Sequence, residues 1–311
     1  MLSIQRGRRP GAYSFEVDIK QCGRTKQWST ALELFNDASR SRSTVTPGCY
    51  IAIVNACGKG KQWQRALALL SEMWEAKWEP NVISYSAGAS ACAKGEQWQR
   101  ALALFREMSE AMLEPNVISY SAGISACAKG EQWQRALALL SEMSEAKLEP
   151  DVISYSAGIS ACAKGEKWQQ ALALLSEMWD AKLELNVISW SAGISACAKG
   201  EQWQRALALL SEMWEANLEP EVISCSAGLD ACEKGGQWRM ALVLLSEMSE
   251  AIVQPNVISY GAGISACEKC EQWQVALVLF RTMCEANLWP DVISTALGSA
   301  RARGANSGSK R

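Results

Sequence analysis

Apolar residues recur with helical spacing along most of the chain, in two kinds of stretch that alternate. In residues 117–129 they lie three or four positions apart, which places them on one face of a helix, and Gly130 follows as a helix stop. In residues 131–147 a second stripe has the same spacing, with Glu131 at its start and Lys147 at its end, where each charge suits the helix dipole. The pattern therefore predicts two amphipathic helices joined by a short turn. The predicted core positions are Val117, Tyr120, Ile124 and Cys127 in the first helix and Trp133, Ala136, Leu137, Leu140 and Met143 in the second.

This helical pair recurs every 35 residues, without insertion or deletion, and a tryptophan marks the same position in each copy. A constant period of this length is typical of a solenoid, because one helical pair cannot bury its apolar faces without stacked neighbours. We expect the first helices on the inner surface of the stack and the second helices outside. The flanking segments are short and basic, 1–11 before the repeats and 292–311, with a partial repeat, after them. The eight predicted repeats are residues 12–46, 47–81, 82–116, 117–151, 152–186, 187–221, 222–256 and 257–291.

The composition restricts the chemistry that the chain can perform. The chain has 311 residues, of which 49% are apolar, so it can bury a large core. It contains no histidine, which removes Ser-His-Asp and Cys-His nucleophiles and histidine-ligated zinc. Carboxylates recur on a solvated helix face instead of converging, so we expect no catalytic site and no enzyme. No apolar run approaches the roughly 20 residues of a membrane span, and no membrane partner is predicted.

The net charge of −2 argues against nucleic-acid binding through a bulk positive field, unless opposite charges lie on different faces. Residues 1–11 carry three arginines and no acid, which is a feature of remnants of organelle-targeting peptides. This segment is short and runs directly into the first repeat, so it is not a convincing transit peptide. Residues 292–311 are small, polar and basic, which predicts a disordered tail.

Cysteines follow the repeat as well, since eight of the twelve occupy one position of the 35-residue unit. Equivalent positions of stacked helices lie about 8–10 Å apart, whereas a disulfide needs Cα atoms within roughly 7 Å. We therefore expect free, buried cysteines in a reducing compartment. The one CxxC motif, Cys267 to Cys270, has no second pair and no histidine beside it, so no metal or cofactor is predicted. The periodic cysteines are Cys22, Cys57, Cys92, Cys127, Cys162, Cys197, Cys232 and Cys267.

The unit "VISYSxxIxACxKG…ALxLxxEM…P(N/D)" resembles the pentatricopeptide repeat, from residue 12 to about residue 300. The tetratricopeptide repeat, with its 34-residue period and different signature, is the second choice. This sequence departs from the family by a glycine inside the first helix, by the near-invariant tryptophan of the second helix and by a degenerate first unit. The resemblance implies an all-α, right-handed superhelical α-solenoid of the P type that binds single-stranded RNA, one base per repeat. It also implies a role in RNA processing, editing, stability or translation, in a mitochondrion or chloroplast, with a processing or editing enzyme as a conceivable partner.

In the family, base identity is set mainly by the fifth and the last residue of a unit. A small hydroxyl residue with Asn resembles the adenine combination, and with Asp the guanine combination. Read from the N-terminus towards the 3′ end of the RNA, repeats three to seven therefore suggest A-G-A-x-A, with x at Glu221. The base preference of the outer repeats is harder to predict. Ile51 with Asn81 lacks a polar reader, Gly261 with Asp291 is an atypical pair, and Glu16 with Thr46 does not match a known combination. Asn and Asp are also good N-caps whatever the ligand. The predicted readers are Ser86 with Asn116, Ser121 with Asp151, Ser156 with Asn186, Ser191 with Glu221, Ser226 with Asn256, and Asp291.

Two further rows of residues match positions that contact RNA in the family. The isoleucines correspond to the aliphatic residues that sandwich each base, although packing between repeats would also explain them. The lysines correspond to a residue beside the RNA backbone, although a cation also suits the C-terminus of a helix. The isoleucines are Ile83, Ile118, Ile153, Ile188, Ile223 and Ile258, on a face shared with the serines of the fifth position. The lysines are Lys59, Lys94, Lys129, Lys164, Lys199, Lys234 and Lys269.

Two other interpretations of the repeats remain open at this point. The surface formed by the first helices could hold a peptide, which would make the chain a protein-interaction scaffold of the tetratricopeptide-like type. Alternatively, recent duplication could have produced near-identical repeats that have no selected target. Salt-dependent binding to purine-rich single-stranded RNA, absent for duplex, distinguishes RNA binding from the scaffold.

Overall fold

The computed structural model describes residues 12–40, 45–216, 218, 220–250 and 253–288. Their regular structure consists of sixteen α-helices of 13 residues each, numbered in chain order, with no strand. None of these helices has the length and apolarity that a membrane crossing requires. The first helices of the pairs are α1 Ala12–Arg24, α3 Pro47–Lys59, α5 Val82–Lys94, α7 Val117–Lys129, α9 Val152–Lys164, α11 Val187–Lys199, α13 Val222–Lys234 and α15 Val257–Lys269. The second helices are α2 Trp28–Arg40, α4 Trp63–Glu75, α6 Trp98–Glu110, α8 Trp133–Glu145, α10 Trp168–Asp180, α12 Trp203–Glu215, α14 Trp238–Glu250 and α16 Trp273–Glu285.

The expected all-α repeat solenoid is confirmed, and the chain divides into two compact units, Met1–Ala161 and Cys162–Arg311. In the first unit α3 packs against α5 and α5 against α7, and in the second α11 packs against α13 and α13 against α15. Each second helix of these stacks also contacts the next first helix. The predicted flanking segments 1–11 and 292–311 lie outside the described residues.

Each unit has its own apolar core. In the first unit Ile124 and Met143 are fully buried, and in the second Ile194 and Met213 are. Of the nine predicted core positions in residues 117–147, Tyr120, Ile124, Cys127, Ala136, Leu140 and Met143 are buried, whereas Val117, Trp133 and Leu137 are half-buried. The helical period therefore correctly identified six of these nine positions as buried, but not the burial of further sides of α7, where Ser121 is also buried.

The predicted helix boundaries are wrong by two residues at the second helix. Gly130 caps α7 as expected, and its N–H donates to the carbonyl of Ala126. Glu131 then adopts φ 59°, a left-handed conformation that a right-handed helix cannot include, so α8 begins only at Trp133. Lys147, at φ 56°, lies in the turn that follows α8. Glu131 and Lys147 therefore lie outside α8, whereas the sequence predicted each of them at an end of this helix.

Gly130 is required by a neighbouring side chain and not by its backbone angles. Its φ of −81° suits any residue. A Cβ at this position would lie 2.9 Å from Cβ of Trp98 and closer still to the indole ring. The guanidinium of Arg135 lies 4.7 Å from the centre of the same ring. Trp98 belongs to repeat 82–116, whereas Gly130 and Arg135 belong to repeat 117–151. The indole therefore packs on the glycine and the arginine of the next repeat, which explains why tryptophan recurs.

The glycines inside the first helices make room for leucine side chains. A Cβ at Gly88 would lie 2.5 Å from Cδ1 of Leu70 and 3.1 Å from Cδ1 of Leu104, the leucines of two successive second helices. Gly263 has the same relation to Leu245, at 2.8 Å. At these glycines the first helix is therefore approached closely by leucine side chains of the second helices.

All twelve cysteines are free, as expected, and nine of them are buried. Cys22 is an exception among the periodic ones, because it is half-buried. Burial raises the pKa of the Cys127 thiol to about 11, which leaves almost no reactive thiolate near neutral pH.

We expect a disulfide reagent at about pH 8 to label Cys22, Cys270 and Cys284 rapidly and the nine buried thiols only after unfolding, as peptide mass mapping can show. Rapid labelling of Cys127 in the folded protein would contradict this packing.

Candidate nucleic-acid interface

The second residue of each first helix from α5 to α15 is an exposed isoleucine. The exposed fraction is 57% for Ile83, 66% for Ile118 and 69% for Ile258, and it falls between these values for the others. Large apolar side chains that stay this exposed are not held by packing between repeats, so that explanation of the row fails. The row leaves one apolar side chain per repeat accessible to a ligand. Its members are Ile83, Ile118, Ile153, Ile188, Ile223 and Ile258.

The residue directly before the helix caps it in most repeats. Oδ1 of Asn116 accepts the N–H of Ser119 at 3.0 Å, and Oγ of Ser119 accepts the N–H of Asn116 in return, which completes a capping box. Because Oδ1 is used in the cap, the Nδ2 donor is the polar group of Asn116 that remains for a ligand. Asn81, Asn186 and Asn256 form the same box.

Asp151 caps α9 in the same way but leaves a different group. Its Oδ1 accepts the N–H of Ser154 at 2.8 Å and also the hydroxyl of Ser154 at 2.7 Å. The second carboxylate oxygen is an acceptor, in the place where Asn116 keeps a donor. The repeat junctions therefore differ in hydrogen-bonding sense while the backbone around them is the same.

Among the predicted Asn, Asp and Glu readers that the structure describes, Glu221 is the one that does not cap the helix that follows it. It is exposed and its side chain forms no cap bond with α13. A glutamate has one more methylene than aspartate, which does not suit the short reach of the cap. The remaining reader, Asp291, lies outside the described residues.

The serines of the fifth position are not on the exposed face where the sequence placed them. Ser121 is 7% exposed, and its hydroxyl donates to the carbonyl of Val117 at 2.7 Å. Its Oγ also lies 2.7 Å from Oγ of Ser154 in the next repeat. The error arises because the next first helix covers this side of α7, which helical spacing within one repeat does not reveal. Ser86, Ser156 and Ser191 are buried like Ser121, and Ser226 is half-buried.

A serine that the sequence analysis missed connects the two predicted readers of a pair. Oγ of Ser86 lies 2.8 Å from Oγ of Ser119, and the Ser119 hydroxyl donates to Oδ1 of Asn116 at 3.0 Å. In the second unit Ser226, Ser259 and Asn256 form the same chain of contacts, at 3.1 Å each. The signal was the serine three residues after each Asn or Asp, which is the partner in a capping box.

The predicted lysines end the first helices. In the first unit Lys59 and Lys129 are exposed and Lys94 is half-buried. The pKa of Lys94 is lowered by burial and then by repulsion from Lys59 and Lys129, so Lys94 lies close enough to each of these two cations to be repelled by it. In the second unit Lys199 is exposed, whereas Lys234 and Lys269 are in ion pairs.

Models of known protein families match most of the repeats of this chain. Residues 4–157 match the pentacotripeptide-repeat region of PRORP, and residues 138–200, 173–235 and 208–270 match the pentatricopeptide repeat domain. The chain belongs to the pentatricopeptide repeat family. No curated protein sequence matches it.

Solved structures of pentatricopeptide repeat proteins share the fold. The crystal structure of PPR10, a protein from maize, in complex with an 18-nt psaJ RNA element has 18% sequence identity and a TM-score of 0.57. The match covers 91% of this chain and 46% of that chain, so this chain spans about half the length of PPR10. The PPR domain of Arabidopsis thaliana protein-only RNase P 1 in complex with tRNA has 16% identity and a TM-score of 0.49, over 61% of this chain and 96% of that chain. At such identity the likeness shows the fold alone.

Within the described part of this pentatricopeptide repeat chain, no group of three or more potential metal ligands converges. Cys267 of the CxxC motif is buried, and the thiol of Cys270 donates to the carbonyl of Gly236 at 3.0 Å. Cys270 occupies the place of the capping glycine and has a structural partner there. The chemistry of this surface is therefore that of hydrogen bonds, apolar contacts and cations.

Proposed function

We propose that this pentatricopeptide repeat chain binds single-stranded RNA in a sequence-specific manner, with one base at each repeat junction. The observation that carries the proposal is the pairing, at the start of α5, α7, α9, α11 and α15, of an exposed isoleucine with a capping Asn or Asp. The isoleucine supplies an apolar surface on which a base can lie, and the cap residue supplies a polar group beside it. Single-stranded RNA is recognised through exposed base faces and Watson–Crick edges, which need these two kinds of contact.

The polar group at the junction is suited to distinguish adenine from guanine. Adenine has an acceptor at N1, which the Nδ2 donor of Asn116 complements, whereas guanine has an N–H at N1, which the carboxylate of Asp151 accepts. The buried Ser86 holds the cap side chain in one orientation through Ser119. Ser121 acts on Asp151 through Ser154 and also directly, because its hydroxyl donates to Oδ1 of Asp151 at 3.3 Å. Repeats three to seven then select A-G-A-x-A, with the base at Glu221 unassigned.

Phosphate contacts come from the lysines at the ends of the first helices. The repulsion among Lys59, Lys94 and Lys129 is relieved when phosphates lie between them, which favours binding. Acidic residues such as Glu142 and Glu145 lie on the second helix, so a net charge of −2 is compatible with this surface. We expect weak binding that depends strongly on salt.

The biological role follows from occupancy of RNA. A bound chain protects or blocks its target, or delivers a partner such as a processing or editing enzyme, and thereby affects RNA processing, editing, stability or translation. A mitochondrion or chloroplast is the compartment that the family favours.

Selection of bound sequences from a random RNA pool tests the proposal. The expected result is enrichment of A-G-A-rich single strands, with binding that weakens steeply as salt rises and with no binding of the corresponding duplex. A pool that shows no enrichment, together with binding of peptides, would instead support the protein-interaction scaffold.

The code itself is tested by Asn116→Asp. We expect preference at that repeat to shift from A to G by about 10-fold, because one hydrogen bond of the base edge changes sense. Stability should change by less than about 0.5 kcal/mol, since Asp is as good an N-cap as Asn and Asp151 already caps α9. Binding to RNA oligonucleotides that differ at one base measures the preference, and urea unfolding measures the stability.

Asp151→Asn is the matched reverse variant and should shift its repeat from G to A. If neither variant changes the preferred base while both remain folded, the cap residues do not read RNA in this chain.

A further inference from the structure

The lysine of repeat 222–256 is neutralised by its own helix. Nζ of Lys234 lies 3.2 Å from Oδ2 of Asp230, one turn earlier in α13, and donates to the carbonyl of Ala198 at 3.2 Å. The ammonium is therefore held between a carboxylate and the C-terminal end of α11. A phosphate that approaches Lys234 has to compete with these two partners for the ammonium.

The lysine of repeat 257–291 is neutralised by the preceding repeat. Nζ of Lys269 lies 3.2 Å from Oε1 of Glu233, and the hydroxyl of Ser265 donates to the same oxygen at 2.8 Å. Glu233 is half-buried, with 25% of its side chain exposed, so it is screened less than a free surface acid. Two bonds to α15 fix the glutamate beside the lysine.

Asp230 is peculiar to repeat 222–256, whereas the acid at the position of Glu233 recurs in the next repeat as Glu268. In the four preceding repeats the position of Asp230 holds serine and the position of Glu233 holds alanine, so those first helices contain no carboxylate. Lys94 shows the contrast, because the charges that shift its pKa are the lysines of its neighbouring repeats. Glu221, the exposed last residue of repeat 187–221, adds a third carboxylate directly before α13. The serines are Ser90, Ser125, Ser160 and Ser195, and the alanines are Ala93, Ala128, Ala163 and Ala198.

We infer that the RNA-binding surface ends before repeat 222–256, because Asp230 and Glu233 occupy the two lysines that would bind the next phosphates. The inference rests on the proposed function, and it places the 3′ end of the RNA segment that the chain covers opposite repeat 187–221. Nucleotides opposite repeats 222–256 and 257–291 then add little affinity, since Coulomb repulsion from Glu221 opposes their phosphates. The sequence selected under the proposed function then shortens from A-G-A-x-A to A-G-A-x, and repeats 222–256 and 257–291 complete the helical stack of their unit without holding RNA.

The test restores the residues of the neighbouring repeat with Asp230→Ser and Glu233→Ala. Two fluorescent RNAs serve as probes, a short one that ends opposite repeat 187–221 and one extended by four nucleotides at its 3′ end. We expect the unchanged protein to bind both equally at about 0.1 M salt. The double variant should bind the extended RNA about 5-fold tighter for one recovered phosphate contact and about 25-fold for two, with a steeper salt dependence. Its affinity for the short RNA should stay the same.

The double variant Glu247→Gln with Glu250→Gln removes two charges from α14 of the same repeat and serves as the control. It should favour neither RNA. The inference is overturned if the unchanged protein already binds the extended RNA more tightly, or if the restored variant gains equally for both RNAs. If the unchanged protein does not bind even the short RNA, the proposed function fails and the limit fails with it.

Discussion

Replacement of Lys59, Lys94 and Lys129 together by glutamine is expected to weaken binding of single-stranded RNA about 100-fold at about 0.1 M salt. Each phosphate contact with a single strand changes the logarithm of the affinity by roughly 0.7 per tenfold change in salt, which is about 5-fold at this concentration. Three lost contacts therefore multiply to about 100-fold, and the slope of affinity against salt should fall by about 2. Fluorescence anisotropy at several salt concentrations measures both quantities.

A control for net charge uses arginines of the second helices. Arg65, Arg106 and Arg281 are exposed there, and their replacement by glutamine removes the same total charge. These changes should alter the affinity by less than about 5-fold, the value of one phosphate contact. Equal losses from the two triple variants would show that the chain attracts RNA only through its overall charge.

Gly130→Ala is expected to destabilise the protein by about 1–3 kcal/mol, because the new Cβ would overlap Trp98. The sign of this change in the free energy of unfolding distinguishes the overlap with Trp98 from the usual effect of replacing glycine by alanine. At φ −81° an alanine is unstrained, and the loss of unfolded-state entropy alone would stabilise the protein by about 0.4–1 kcal/mol. Urea unfolding followed by circular dichroism measures the difference, and hydrogen exchange in α7 and α8 shows whether the loss is local.

The same substitution in a Trp98→Ala background separates the clash from other effects. With the indole absent, Gly130→Ala should cost nothing or should stabilise, so the two positions should be coupled by more than about 1 kcal/mol. An equal cost in both backgrounds would mean that the glycine is needed for another reason. Cys270 stands at this position in the last repeat, where its thiol donates to the carbonyl of Gly236 and Val275 replaces the arginine at the position of Arg135.

Much of the fold could be predicted because the 35-residue period and the helical spacing act within one repeat. Tyr120, Ile124 and Met143 are buried as expected. The start of α8 was missed by two residues, because the left-handed Glu131 carries no sequence signal of its own. The capping glycine was recognised as a helix stop, but its reason, the indole of the preceding repeat, depends on packing between repeats.

The candidate site divides in the same way. The cap function of Asn116 followed from its place before a helix, and it is confirmed by the capping box. The exposure of Ser121 was predicted wrongly, because the next repeat covers it. The roles of these residues in reading bases stay predictions that the oligonucleotide experiments can decide.

The amino-acid sequence was sufficient for the properties that depend on neighbours along the chain: the repeat length, the helical pairs, their apolar faces, their caps and the family. Tertiary structure decided what depends on contact between repeats, such as the burial of Ser121 and the exposure of Ile118. It also decided which cations are available. Lys199 and Lys269 occupy the same place in their repeats, yet Lys269 is held in an ion pair with Glu233 of the preceding repeat, since a charge acts over ångströms of space and not over positions in a motif.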